Sequence, residues 1–222
     1  MKYITFILAI ISLTSCDFKT SMDYNNEAEK LEREGKYEEA ISILNIAIKK
    51  DSRNIYALLN RAVDKSLLKN YNGAIKDYSK IIEINPENAL AYLNRGKNKS
   101  RLENYYGAIE DYNLAIKTKG NESIYLNKSK NSLIKNGFEF DVGMEEIRYE
   151  RGFSRYKVDS LKTAFEDFDF CIQMSYELSD CYLWRGNIYL AYEQNNDACK
   201  DFKSALELGN SSASKSLKEY CE

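Results

Sequence analysis

Small and large side chains recur along this chain with a long period. Ala40, Ala74 and Ala108 each follow a tyrosine by three residues and are 34 residues apart. The same interval separates Ala164 from Ala198 and Gly152 from Gly186; those glycines precede the alanines by twelve residues, as Gly96 precedes Ala108 and Ala62 precedes Ala74. Four residues beyond each marker come Leu44, Tyr78, Tyr112, Phe168 and Phe202, and seven beyond come Ala47, Ile81, Ala115, Cys171 and Ala205. Self-similarity at this length signals an array of small units that bury their apolar faces against one another. Ahead of the array, Tyr3 to Leu13 is apolar except for Thr5 and Ser12. That run is too short to span a bilayer, which takes roughly 20 residues, but it has the length of the apolar core of an export signal.

The register resembles the tetratricopeptide repeat, whose unit is two antiparallel helices that meet through small residues at their crossing. Five copies are in step, at 21–54, 55–88, 89–122, 145–178 and 179–212, and Pro86 falls at the family's proline after the second helix. The resemblance implies an all-α fold, a right-handed superhelical solenoid of antiparallel helix pairs. Residues 213–222 then form a cap, with Ala213 to Tyr220 as a helix covering the last apolar face, as solenoid ends require. A second register points the same way without the family. Arg61 and Asp77, Arg95 and Asp111, Arg151 and Asp167, and Arg185 and Asp201 are each sixteen residues apart. In a helical hairpin turning near the fifteenth residue these positions face one another, so they read as four structural ion pairs, with a binding stripe as the alternative. Between the third and fourth copies the pattern breaks. Ser123 to Lys135 has a first-helix pattern, Tyr125-Leu126-Asn127 echoing Tyr92-Leu93-Asn94, and the two glycines of Asn136 to Gly143 follow. Residues 123–144 therefore read as a degenerate half-repeat and a bend of the superhelix, or as a repeat with a shortened second helix.

Leu13-Thr14-Ser15-Cys16 resembles the bacterial lipobox. The resemblance implies that residues 1–15 are a signal peptide, that Cys16 is lipidated as the mature N-terminus, and that residues 16–20 are a tether; an ordinary secretory signal is the alternative. Several acyl chains hold a protein on a membrane stably, each buried methylene contributing ~0.8 kcal/mol. The expected location is thus the bacterial cell envelope, on the periplasmic side or the outer membrane.

Composition narrows the chemistry. The 32 Lys and Arg against 34 Asp and Glu leave no net basic field for nucleic acid. Histidine is absent and proline occurs once, which removes the commonest general base and metal ligand and suits helices. With no phosphate-cradling glycine loop and no nucleophile motif, the reading is no enzyme, no cofactor and no metal. Beyond Cys16, four cysteines remain in a compartment that is usually oxidising, and they allow three connectivities. The favoured pairing is Cys199 with Cys221 and Cys171 with Cys181; the alternative is buried thiols, since Cys171 stands where other copies have alanine or isoleucine.

In the family the first helix of each unit lines the concave groove. Carried onto this chain, that rule selects Asn60, Asn94, Lys97, Arg101 and Asn127, then Tyr149, Phe153, Tyr156, Trp184 and Asn187. Asparagine amides there can bond an extended peptide backbone whatever its sequence. Lys97 and Arg101 partly echo the basic clamp that some members use for acidic peptide C-termini. Trp184 reads either as a partner anchor or as packing between repeats. The expected function is a membrane-anchored scaffold or adaptor binding a protein partner, with glycan or nutrient capture as the alternative.

Overall fold

The computed structural model describes residues 18–128 and 142–221, except for the side chains of 120–128; Cys16, the expected point of lipid attachment, lies outside the described residues. All its regular structure is helical: α1 (Ser21–Arg33), α2 (Tyr37–Lys50), α3 (Ile55–Leu67), α4 (Tyr71–Ile84), α5 (Ala89–Arg101), α6 (Tyr105–Lys128), α7 (Met144–Lys157), α8 (Leu161–Gln173), α9 (Leu178–Ala191), α10 (Asn195–Glu207) and α11 (Ala213–Tyr220). Each helix packs on the next from α1 to α11, which makes a solenoid of antiparallel pairs capped by α11. In addition α1 touches α3 and α5 touches α7, whereas no two successive second helices approach as closely. The odd-numbered helices therefore form the crowded, concave layer.

Local chemistry sets the helix ends. Thr20 and Asp23 close a reciprocal capping box on α1, and the side chains of Asn54, Asn70 and Asn88 accept the amides of Ala57, Gly73 and Ala91. Each such cap stabilises by about 1 kcal/mol. The first helix of every unit ends alike. Its fifteenth residue, Gly35, Lys69, Glu103, Asp159 or Glu193, is left-handed with φ between 59° and 73°. The next amide then donates to the carbonyl five residues back, as Asn70 does to Lys65 and Gln194 to Tyr189, so orphan carbonyls are satisfied. Only Gly35 takes that conformation without a Cβ clash.

Helices of a pair cross at the small residues of the register. A Cβ added to Gly96 would lie 2.6 Å from the Tyr112 ring, and one on Gly186 would lie 2.7 Å from Phe202. Tyr78, Tyr112, Phe168 and Phe202 are all essentially fully buried against these crossings. Ala57 and Ala91, at the start of one unit, join the apolar cluster of the unit before, so the core runs along the stack.

The four arginine–aspartate pairs are closed at 2.6 to 2.9 Å, each through two guanidinium nitrogens. They do more than link the two helices of a unit. The third nitrogen of each arginine crosses to the preceding unit: Arg61 to Asn45, Arg95 to Ser79, Arg151 to Asn113 and Arg185 to Asp169. A second cation, Lys65, Lys99 or Arg155, reaches the aspartate in three of them.

One expectation about the interruption needs correction. Ser123 does not begin a separate helix, because α6 continues without a break through Gly120 to Lys128. Gly120 stands where Pro86 ends the second unit, and unlike proline it keeps its N–H and avoids a clash with the preceding turn. The expected bend falls mainly on residues 129–141, which lie outside the described residues; across them Arg151 reaches Asn113 at 2.8 Å over 38 residues, the contact that Arg61 and Arg95 make across 16. The unit at 145–178 thus makes with the unit at 89–122 the inter-unit bond of the ordinary register. The cysteine pairing also needs correction in one half. Cys199 and Cys221 are bridged, tying α11 to α10, but Cys171 and Cys181 are unbridged and fully buried. Their thiols face the carbonyl oxygens of Glu145 and Tyr176, at 3.3 and 3.4 Å, and act as small core side chains.

A few buried polar side chains, Asp64 among them, keep an atom without a hydrogen-bond partner. Asp64 is 1% exposed and its Oδ2 has no hydrogen-bond partner. Burial, and then the neighbouring Glu32, push its carboxyl up to about 7.

Candidate functional site

Tyr149 and Phe153 lie one turn apart on α7, and four-residue spacing puts them on one helix face. Leu183, Trp184 and Asn187 project from α9 beside them. At Gly209 the chain turns out of α10 with φ 95°, which brings Asn210, Ser211 and Ser212 opposite, with Ser216 of α11. Together with Ser179 and Asp180 these residues enclose a cleft of about 630 Å³ at the C-terminal end of the concave layer.

Asp180 is the cleft's one ionisable carboxylate. Tyr149 donates its hydroxyl to Oδ2 at 3.0 Å, and Asn210 donates its amide to Oδ1 at 2.7 Å. Burial of the Tyr149 phenol, and next the Asp180 charge, hold its pKa well above the usual phenol range, so it remains a donor at neutral pH. Both donors are neutral, so they fix the carboxylate's orientation without pairing its charge, which faces only the positive end of α9, in whose first turn Asp180 lies. No lysine or arginine is among the lining residues.

The aromatic wall is braced from behind. Trp184 meets Phe153 edge-on at 5.4 Å and Tyr156 at 5.1 Å, so it packs against the preceding unit and also faces the cleft. Tyr105 supports Phe153 at 6.4 Å, and Lys157 lies 5.4 Å from the Phe153 ring centre without lining the cleft. Rings held by several neighbours present apolar area with little rotamer freedom left to lose on binding.

The groove residues selected from the sequence divide. Tyr149, Phe153, Trp184 and Asn187 converge in the cleft, with Tyr156 as a brace. Asn60, Asn94, Lys97 and Arg101 lie apart from it, on α3 and α5. Asn60 donates to Asn25 at 3.2 Å, and the Asn94 carbonyl accepts from Asn98 at 2.8 Å. Lys97 is held by Glu146 at 3.1 Å and Glu150 at 3.3 Å, so its charge serves the junction of α5 with α7 rather than a basic clamp. Arg101 is exposed at the end of α5, and the side chain of Asn127 lies outside the described residues. Sequence reasoning missed Asp180 and the Asn210 to Ser212 run. Asp180 is the second residue of its unit, a groove-facing place in the family pattern, so that rule applied to every unit would have found it. Asn210 stands at the family's proline place, where nothing in the pattern suggests a ligand contact.

Residues 57–88 match the family model of the tetratricopeptide repeat. Compared by sequence with curated proteins, the chain matches none. By structure it is similar to MamA (41-end) from Desulfovibrio magneticus RS-1, with TM-score 0.69 and 15% identity over 86% of this chain and 96% of that one. It is likewise similar to YrrB, described as a tetratricopeptide protein with an unusual peptide-binding site, with TM-score 0.69 and 18% identity over 90% of this chain and 92% of that one. PilW, a type IV pilus biogenesis factor, aligns with TM-score 0.62 and 17% identity over 90% of each chain. At these identities the likeness establishes a shared solenoid fold.

Proposed function

We propose that this chain is a non-catalytic protein-interaction adaptor of the bacterial cell envelope, tethered through a lipid on Cys16, that takes a partner segment in the cleft between α7, α9 and α11. The observation carrying the reading is the convergence of Tyr149, Phe153 and Trp184 with the amides of Asn187 and Asn210 in one concave opening. Rigid aromatics give contact area and side-chain amides bond a peptide backbone, which is the composition of partner anchors. Support also comes from the fold, shared with a protein described by its peptide-binding site, and from the Leu13 to Cys16 motif.

Crosslinking in the native cells, comparing wild type with Trp184→Ala/Tyr156→Ala, tests the binding part. An envelope protein captured by wild type and lost from the variant is the expected result; an identical catch from both would rule out the cleft. Incorporation of an alkyne fatty acid, abolished by Cys16→Ser, tests the tether, and an unlabelled wild type would refute it. Glycan capture is a second reading, because an aromatic ring beside neutral amides and the hydroxyls of Ser211, Ser212 and Ser216 can also seat a sugar. A shift of Trp184 fluorescence with oligosaccharides would favour it.

A further inference from the structure

The cleft is chemically one-sided. Its lining carries a single charge, the Asp180 carboxylate, and the rest is rings, amides, hydroxyls and one leucine. That carboxylate is built in rather than adventitious, since Tyr149 and Asn210 each hold one of its oxygens, at 3.0 and 2.7 Å. An ionised carboxylate can accept about four hydrogen bonds, so two acceptor directions remain after these. Both donors are uncharged, so within the cleft the negative charge meets no cation, only the partial positive charge of the α9 N-terminus, in whose first turn Asp180 lies. The rings of Tyr149, Phe153 and Trp184 line the same space, and their faces attract cations within about 6 Å. Lys157 lies 5.4 Å from the Phe153 ring centre and Lys97 is held on Glu146 and Glu150, but neither cation is among the residues lining the cleft.

We infer that the cleft selects a cationic side chain, lysine or arginine, on the partner segment, with Asp180 as the charge-recognising residue and Tyr149 and Asn210 as its positioning residues. The inference rests on the cleft being the partner site. An anionic segment would meet the Asp180 charge with no cation to receive it, and a neutral one would leave that carboxylate half-solvated beneath the ligand. Both are penalties that a cation avoids. The serines and Asn187 are then left to bond the segment's backbone.

The test uses the full-length protein in detergent against an array of capped random nonapeptides that lack Trp and Cys. Trp184 is the chain's one tryptophan, so its fluorescence reports this cleft alone when retained peptides are resynthesised. Wild type should retain peptides enriched in Lys or Arg, and replacing that residue by Gln should weaken binding on the order of tenfold, the scale of one hydrogen bond to a charged group. Asp180→Asn, which keeps the side chain's shape, should lose the enrichment and the Lys-over-Gln preference. Its circular dichroism melt serves as the fold control, and Asp180→Glu, which restores the charge, should regain part of the preference. Peptides retained without basic enrichment, or a preference that survives in Asp180→Asn, would overturn the inference and leave the adaptor reading standing. An array that retains nothing, or binding unaffected by Trp184→Ala, would overturn both readings. A fluorescence response to maltotriose or chitotriose with none to any peptide would overturn both in favour of glycan capture.

Discussion

Arg95→Ala probes whether the buried ion pairs hold the stack together. Arg95 spans Asp111 through Nε at 2.9 Å and Nη2 at 2.7 Å, and its Nη1 donates to Ser79 of the preceding unit at 3.1 Å. Asp111 is 2% exposed in its side chain, and Lys99 reaches the same carboxylate at 2.8 Å. Stranding a buried charge costs about 3–5 kcal/mol. Because Lys99 stays, Arg95→Ala should cost less, about 2–3 kcal/mol, most of it the two charge-assisted bonds. At 2–4 °C per kcal/mol for a chain of this size, the melting temperature should fall by roughly 4–12 °C. Lys99→Ala alone should cost about 1 kcal/mol, since the bidentate partner remains. The double variant should then exceed the sum of the two by about 1 kcal/mol or more, because only there does Asp111 lose every cation. Urea unfolding followed by far-ultraviolet circular dichroism measures all three. An Arg95→Ala cost within about 0.5 kcal/mol, the range of an inert surface change, would refute the reasoning, as would strict additivity in the double variant. Retention of peptides in the cleft should be unchanged in all three, because these residues lie away from its lining.

Other outcomes follow from single features. Asp64 has its folded-state carboxyl raised to about 7, so the stability it contributes is fully present below its unfolded value near 4 and is lost as pH rises through 7. Asp64→Asn should therefore stabilise the protein at pH 8 by roughly 2–4 kcal/mol and flatten the pH dependence between 4 and 7, as read by urea titrations across that range; an unchanged pH profile would refute the assignment. Reduction of Cys199–Cys221, which closes a loop of 22 residues, should cost about 3 kcal/mol and loosen α11, altering Trp184 fluorescence through the cleft wall at Ser211, Ser212 and Ser216. Unreduced and native, Cys171 and Cys181 should resist a thiol reagent and both react on unfolding; fast labelling of either would contradict their burial. Gly186→Ala should cost about 1–3 kcal/mol through overpacking, because its Cβ would lie 2.7 Å from the Phe202 ring, whereas an Ala28→Gly change at the matching place of the first unit should act mainly through helix propensity, about 1 kcal/mol. Thermal melts of both separate crowding from propensity.

How much of this was legible in the sequence depended on whether each feature repeats. The crossing residues recur in every unit, so noise at one position is corrected by the others, and the places of α1 to α5 and α7 to α11 could be read from spacing alone. The arginines and aspartates recur too, but spacing sixteen residues long reveals only the bond within a unit. The third bond, to Asn45, Ser79, Asn113 or Asp169, goes to a different residue type each time and leaves no sequence signature. Where repetition stopped, inference from pattern failed: a first-helix motif at Tyr125 outweighed the plainer fact that nothing from Lys117 to Glu122 removes a backbone N–H and ends α6.

The cleft lies at the edge of what repetition can reveal. Its α7 and α9 walls come from groove places in the repeat, and so Tyr149, Phe153, Trp184 and Asn187 could be named in advance. Its other wall is the turn into α11, which exists once, at the end of the stack, where no further unit covers α9. A groove position in mid-stack is flanked by another first helix, whereas this one is flanked by Asn210 and three serines, which bring hydrogen-bonding groups in place of an apolar face. The asparagine that fixes Asp180 therefore belongs to the same segment that caps the solenoid. The Cys199–Cys221 bridge holding that cap down also fixes the wall from which Asn210 reaches the carboxylate, so stability of the end and shape of the site are set by the same few residues.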